Sequence, residues 1–180
     1  RDSIDTKDRV SLGSATPDFF GGFFTSFRYR HFTLSAEFAY SKGNKAYNAV
    51  RRTLESASSF SNQSVAVSNR WNVEGQITDI PRATYGDAIG NNNFSSRWIE
   101  DASYLRMKNI TLSYNFDKSV WNFFRSGTIY LTGENLLTAT KYLGLDPEFA
   151  YSSNNNATQG FDYAKVMQPK SVKLGINLKF

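Results

Sequence analysis

Ser171-Val172-Lys173-Leu174-Gly175-Ile176-Asn177-Leu178-Lys179-Phe180 alternates without a break. Val172, Leu174, Ile176, Leu178 and Phe180 fall on one side, and Ser171, Lys173, Gly175, Asn177 and Lys179 on the other. Successive side chains of a β-strand point to opposite faces, so the stretch predicts a strand with one apolar and one polar face. At ~9–11 residues a tilted strand just spans the hydrocarbon of a bilayer. The apolar face needs a second protein layer or lipid.

Upstream, the same pattern recurs four times. A first strand is predicted from about Gly21 to Arg30, with Phe23, Thr25, Phe27 and Tyr29 on one face. After a minimal connection at Arg30-His31 comes Phe32 to Ser41. Here Phe32, Leu34, Ala36, Phe38 and Tyr40 alternate with Thr33, Ser35, Glu37 and Ala39. A third strand runs from Ser103 to about Phe116, with Ile110, Leu112, Tyr114 and Phe116 opposed to Asn109, Thr111, Ser113 and Asn115. In its upper half Arg106 and Lys108 fall on the side that becomes apolar further down, as expected of a strand rising above the hydrocarbon into the headgroup region. In the fourth, Gly127 to Thr138, Ile129 and Leu131 oppose Tyr130, Thr132 and Glu134. The apolar sets are expected to face lipid and the polar sets a lumen.

Between these strands the connections alternate in length. Residues 42 to about 100 are rich in Asn, Ser, Gly and Arg without sustained periodicity, apart from a weakly signalled helix between Lys45 and Phe60. A second polar loop covers about 141 to 168 and contains Asn154-Asn155-Asn156. Loops this long are uncommon inside compact soluble domains. Short turns at one side and long loops at the other are how outer-membrane barrels are built, which makes both long loops extracellular. A lectin-like or adhesin-like soluble β-sandwich would need a second sheet over the apolar face, and five strands offer none.

Composition agrees. Of 180 residues 15 are Phe and 10 Tyr, yet mean hydropathy is −0.47, and no run of ~18 apolar residues suggests a membrane helix. Alternating lipid-facing and lumen-facing residues cancel in this way. The 21 Lys+Arg and 16 Asp+Glu leave a charge of +5 scattered along the chain, without the clustered basic face that nucleic acid requires. There is no cysteine and one histidine, His31, so no thiolate or His-clustered metal site is expected. Neither a nucleophile motif nor a positioned acid–base pair is present, and no enzyme or cofactor is expected. Asp146 and Glu148 could meet a calcium ion with Asp162 or the Asn run, but without EF-hand spacing; Asp146-Pro147-Glu148 is read instead as fixing the exit from the fourth strand. Residue 1 is Arg and no charged-then-apolar leader follows, so a cleaved leader or a fragment is expected. Five strands in lipid leave two edges of unpaired backbone groups, and barrels take at least ~8 strands, so upstream strands are expected.

Ordered signatures carry a resemblance over nearly the whole chain. They run Thr16-Pro17-Asp18-Phe19-Phe20-Gly21-Gly22-Phe23; Phe38-Ala39-Tyr40-Ser41-Lys42-Gly43; Arg70-Trp71; Ile80-Pro81-Arg82; the block from Ile99 to Leu112 (Ile99-Glu100-Asp101-Ala102-Ser103-Tyr104-Leu105-Arg106-Met107-Lys108-Asn109-Ile110-Thr111-Leu112); Glu134-Asn135-Leu136-Leu137-Thr138; Lys141-Tyr142; Gly144-Leu145-Asp146-Pro147-Glu148; and Gly175-Ile176-Asn177-Leu178-Lys179-Phe180. The chain resembles the C-terminal portion of SusC/RagA-type TonB-linked outer-membrane transporters of Bacteroidetes. It departs at Phe116-Asp117, where the family usually has Leu-Pro, and at Lys170, where Arg is commoner.

The resemblance implies an all-β, antiparallel up-and-down transmembrane β-barrel segment, the last five strands or so of a barrel of about 22. Residues 1–180 would be the C-terminal part, with plug and N-terminal strands lying outside them. It implies an outer-membrane active importer of oligosaccharides or peptides. Its partners would be a SusD-like surface lipoprotein, TonB–ExbB–ExbD through the plug, the outer-membrane assembly machinery and the bilayer. A passive pore is the alternative that these residues leave open. Tyr47, Tyr85, Trp98 and Tyr151, in the long loops, are candidate sugar-stacking residues, against the alternative that they pack the loops or meet the lid; Trp71, also in the long loop, is the weakest of this kind. Trp121, Phe123 and Phe124 are expected at the periplasmic membrane interface, which suits amphipathic rings. Ile176, Leu178 and the C-terminal aromatic Phe180 form the expected assembly signal, on an edge strand open to recognition by pairing.

Overall fold

The computed structural model describes residues 6–117, 124–149 and 158–180. Along the chain these hold β1 (Phe19–Tyr29), β2 (Phe32–Lys42), β3 (Lys45–Asn48), α1 (Ala49–Leu54), β4 (Ile99–Asp101), β5 (Tyr104–Asp117), β6 (Ser126–Thr140), β7 (Phe161–Asp162) and β8 (Ser171–Lys179), with short 3-10 turns between. They make two compact units.

The first unit draws on Pro17–Lys42, the described part of Ser103–Lys141, and Met167–Phe180. Its five strands lie in the order β1-β2-β5-β6-β8, and every adjacent pair is antiparallel. These are the five strands that the alternation predicts, with ends shifted by at most about two residues, the ordinary latitude of strand limits. Arg30 turns the β1–β2 hairpin with a left-handed φ of 52°. Sequential neighbours pair throughout, as in an up-and-down barrel wall; the described strands do not close.

The second unit gathers Gly43–Ala102 with the described parts of Arg1–Thr16 and Tyr142–Val166. Here the expectation of a loop without regular elements is overturned. A three-stranded sheet, β4-β3-β7, forms around β3, antiparallel on the β4 side and parallel on the β7 side. Strands of four, three and two residues are too short to show periodicity. Asn48 ends β3 and starts α1, its Oδ1 accepting from the Arg51 N–H at 2.9 Å, which satisfies one of the open donors of the first turn. The helix falls inside the weakly signalled segment. Two apolar clusters hold the unit: Ala46, Ala102 and Tyr142 against Phe149, and Tyr47, Ala49 and Trp98 against Ile99 and Phe161.

Candidate functional site

Cross-strand partners project to the same face, so the register sorts the sheet into rows. One row is Phe27, Leu34, Leu112, Leu131 and Leu174, apolar across all five strands. Tyr29, Phe32, Tyr114, Ile129 and Ile176 form the next. The alternate rows are polar apart from Phe24 on β1: Ser26, Ser35, Thr111, Thr132 and Lys173, then Phe24, Glu37, Asn109, Glu134 and Ser171. The two expected face sets are therefore kept apart without exception. Large apolar side chains in the first row remain open, from 43% exposed at Leu34 to 72% at Leu174. A continuous apolar belt of this kind is not a solvent-facing surface of a soluble protein.

On the polar face, side chains bond to one another. Thr111 and Thr132 share a hydroxyl bond of 2.9 Å, and Thr128 donates to Asn115 Oδ1 at 2.7 Å. Glu134 accepts from Ser171 Oγ at 2.8 Å and pairs with Lys173 Nζ at 2.6 Å. Tyr130 lies over Gly175 on the neighbouring strand, in the space a Cβ would need.

Arg106 is not where the unbroken alternation puts it. Lys108 is an extra residue in β5: Glu37 pairs with Asn109 and Phe38 with Met107, so Lys108 is skipped. On the other side Met107 pairs with Leu137 and Asn109 with Glu134, setting Asn135 and Leu136 against Lys108. Asn135 absorbs the turn with φ 52°, a conformation that Asn tolerates better than most residues. This bulge reverses the alternation of β5 above it. Leu105 and Met107 join the apolar face, whereas Arg106 joins Ala39 and Thr138 on the polar one, 3% exposed and donating from Nε to Thr138 Oγ1 at 3.0 Å. The bulge, and not a continued alternation, sets the face on which this charge lies.

In the second unit Trp98 is 0% exposed, and its indole N–H donates to the Asn93 carbonyl at 3.3 Å. The Arg97 guanidinium lies 4.3 Å from the ring centroid and that of Arg51 5.8 Å. Both cations are tied to carboxylates: Arg51 to Glu55 at 2.9 Å and Glu100 at 3.0 Å, Arg97 to Glu55 at 3.4 Å. Burial opposes the Arg51 charge, but its bonds to Glu55 and Glu100 outweigh that and raise its pKa; for Arg97 burial prevails and lowers it. Tyr47, also buried, stacks on Phe94 at 4.7 Å and Phe161 at 4.9 Å. Tyr142 donates to the buried Asp162 carboxylate at 2.5 Å. Asp146 Oδ1 accepts from the Glu148 N–H at 2.9 Å, a local turn. Among the described residues no group of three or more His, Cys, Asp or Glu could hold a metal ion.

No family model matches the chain. It is 34% identical over 183 residues to TonB-dependent receptor P3 of Formosa agariphila, covering 98% of this chain and 18% of that protein. It is 25% identical over 185 residues to TonB-dependent receptor SusC of Bacteroides thetaiotaomicron, covering 99% of this chain and 17% of that one. Its fold superposes on the RagAB peptide importer in the closed-closed state with a TM-score of 0.77 and 30% identity, over 94% of this chain and 18% of the other. The chain is a C-terminal barrel segment of a SusC/RagA-type TonB-dependent receptor. It spans under a fifth of the length of these relatives, 18% for the receptor of Formosa agariphila. Against the open-open state of RagAB the TM-score is 0.76, so the segment matches both states alike.

Within that receptor wall the sequence-selected residues part company. Trp98 and Tyr47 are packing residues of the loop unit, with their faces taken by Arg97, Phe94 and Phe161. They present no free ring to a sugar. Tyr85 is 74% exposed, with its ring 5.3 Å from that of Phe60. Tyr151, Trp121 and Phe123 lie outside the described residues. Phe124 meets Phe180 edge-on at 5.4 Å and 61°. Ile176 and Leu178 sit in the apolar rows of β8, paired with Ile129 and Gly127. His31 is beside Tyr114, with the two rings 5.9 Å apart. Phe60, which no periodicity or motif singles out, is the most exposed aromatic residue among the described residues of the loop unit.

Proposed function

We propose that this segment is the lipid-embedded wall and part of the outer loops of an active importer in the bacterial outer membrane. The observation that carries it is the five-strand row Phe27, Leu34, Leu112, Leu131 and Leu174, open on one face, with a hydrogen-bonded polar ladder on the other. Lipid satisfies the first face, and a water-filled or plugged lumen the second. The cargo is an oligosaccharide or a peptide, energy comes from TonB–ExbB–ExbD through a plug encoded elsewhere in the full protein, and a SusD-like surface lipoprotein forms the lid. Relatives named SusC and RagAB support this reading. β1 and β8 each have an unpaired edge in the described sheet, and the remaining strands of the receptor complete the barrel there.

Tyr85 and Tyr151 belong to the cargo path, Trp121, Phe123 and Phe124 to the aromatic girdle at the periplasmic interface of the outer membrane, and Ile176, Leu178 and Phe180 to the signal read by the assembly machinery. Uptake of labelled oligosaccharide and peptide pools by cells carrying the full receptor tests the proposal. Uptake should vanish when TonB is deleted. Undiminished uptake without TonB would make the barrel a passive pore.

A further inference from the structure

The short-turn end of the sheet sorts its charges by face. On the polar face the last row is Asp117, Ser126 and Lys179, with one charge of each sign. Asp117 is the only acidic side chain among the described residues of that rim. The apolar face carries Arg30, His31 and Arg125. The Arg30 guanidinium lies 5.4 Å from the ring centroid of Tyr29, and the His31 ring 5.9 Å from that of Tyr114. Both tyrosines belong to the row that runs on through Ile129 and Ile176, so Arg30 and His31 lie on the apolar side of their turn. The Arg125 N–H donates to the Lys179 carbonyl at 2.8 Å, and continuing the β6–β8 register sets Arg125 against Phe180, on the apolar side. Arg30 and Arg125 are exposed, and neither is paired with a carboxylate among the described residues.

Guanidinium groups at the end of an apolar belt, with aromatic rings beside them, stand at the depth of lipid headgroups. A headgroup phosphate supplies the countercharge that the protein does not. The planar guanidinium meets phosphate oxygens with two parallel bonds, and an anionic lipid adds the net charge that a zwitterionic one lacks. His31 brings a further ring N–H donor beside Arg30. Between β2 and β6 there are two strand steps, about 10 Å at the usual spacing, so Arg30 and Arg125 act independently. We infer that Arg30 and Arg125, with the rings beside them, form a headgroup-binding rim for anionic glycerophospholipid of the periplasmic leaflet. The inference rests on the reading of the sheet as a lipid-facing wall and adds a lipid preference to it.

The full-length receptor in mild detergent is incubated with equal amounts of phosphatidylglycerol and phosphatidylethanolamine of matched acyl chains. After washing, the retained lipid is measured by mass spectrometry. Wild type should hold phosphatidylglycerol in preference. Arg30→Gln and Arg125→Gln should each hold roughly fivefold less of it, and the double variant roughly twentyfold less, with phosphatidylethanolamine little changed. Arg28→Gln removes a charge from the polar face of the same rim, opposite Thr33, and should match wild type. All variants should show the wild-type amount of heat-resistant barrel, which separates lipid loss from misassembly. No preference by wild type, undiminished retention by the double variant, or an equal loss in Arg28→Gln overturns the inference. So does displacement of the lipid by excess glycerol 3-phosphate, which would make this a free-phosphate site. Arginine-dependent retention of lipopolysaccharide would assign the rim to the outer leaflet and overturn it too. A receptor that stays dispersed without detergent or lipid sinks the wall reading and the inference together, whereas lipid held without headgroup preference sinks the inference alone.

Discussion

Tyr130 lies over Gly175 from the neighbouring strand, and Phe116 lies over Gly127 on the opposite face in the same way. Each aromatic ring occupies space that a Cβ on the glycine would claim, so the pair behaves as one packed unit. Gly175→Ala should therefore destabilise the assembled receptor by about 1–3 kcal/mol, the usual range for overpacking, even though Ala is the better strand residue in isolation. Combining it with Tyr130→Ala should recover part of that loss; additive losses in a denaturation cycle would mean that the two do not share the space. Tyr142 makes a different kind of unit. Burial first, and then its bond to Asp162, push the phenol well above its ordinary pKa of about 10. A raised pKa favours the neutral form in the folded loop, so this contribution is complete below pH ~10 and is lost as pH climbs further. Phenolate absorbance from Tyr142, isolated by comparison with Tyr142→Phe, should appear only as the loop unit opens at strongly alkaline pH. An ordinary titration with the loop intact would contradict the assignment.

Within β8, Leu174 sits in the apolar row with Leu131, whereas Asn177 pairs with Thr128 on the polar face. Leu174→Arg should cost about 2–4 kcal/mol in a detergent-to-lipid folding assay if the row lies near the bilayer midplane, and Asn177→Ala much less. Equal losses would mean that the strand is buried by protein on both faces. The five long strands were legible because strict alternation leaves each of them only one way to face. The bulge was not. An extra residue at Lys108 looks in sequence like continued alternation with two charges on the wrong side, and that anomaly at Arg106 and Lys108 was its only trace. The small β4-β3-β7 sheet was illegible for another reason: its strands are too short for periodicity and pair across long separations, Lys45 with Asp101 and Tyr47 with Phe161. Loop aromatics suffer most from this. Trp98 and Tyr47 pack inside the unit while Phe60 and Tyr85 stand open, yet all four occur in similarly polar stretches. Burial is decided by the nonlocal pairing that the local sequence does not encode.

For the receptor as a whole, β8 has two lives. In the described sheet it pairs with β6 along one edge and leaves the other unpaired, and Phe180 is 83% exposed and meets Phe124 edge-on. In a finished barrel the Phe180 ring contributes one interfacial contact, about 1–3 kcal/mol of apolar burial and a minor share of the total. During assembly the same strand is an open edge, a ready template for pairing, and under the proposed role it must be recognised before the barrel closes. The two lives predict different damage. Deleting Phe180 in the full-length receptor, or appending a polar tail after it, should lower the amount of assembled barrel in the outer membrane several-fold more than it lowers the heat resistance of the fraction that does assemble. Surface abundance in cells and gel mobility of heated and unheated samples measure the two quantities side by side. Normal abundance with reduced heat resistance would reverse the order of effects, and Phe180 would then be a packing residue of the wall with no part in its assembly.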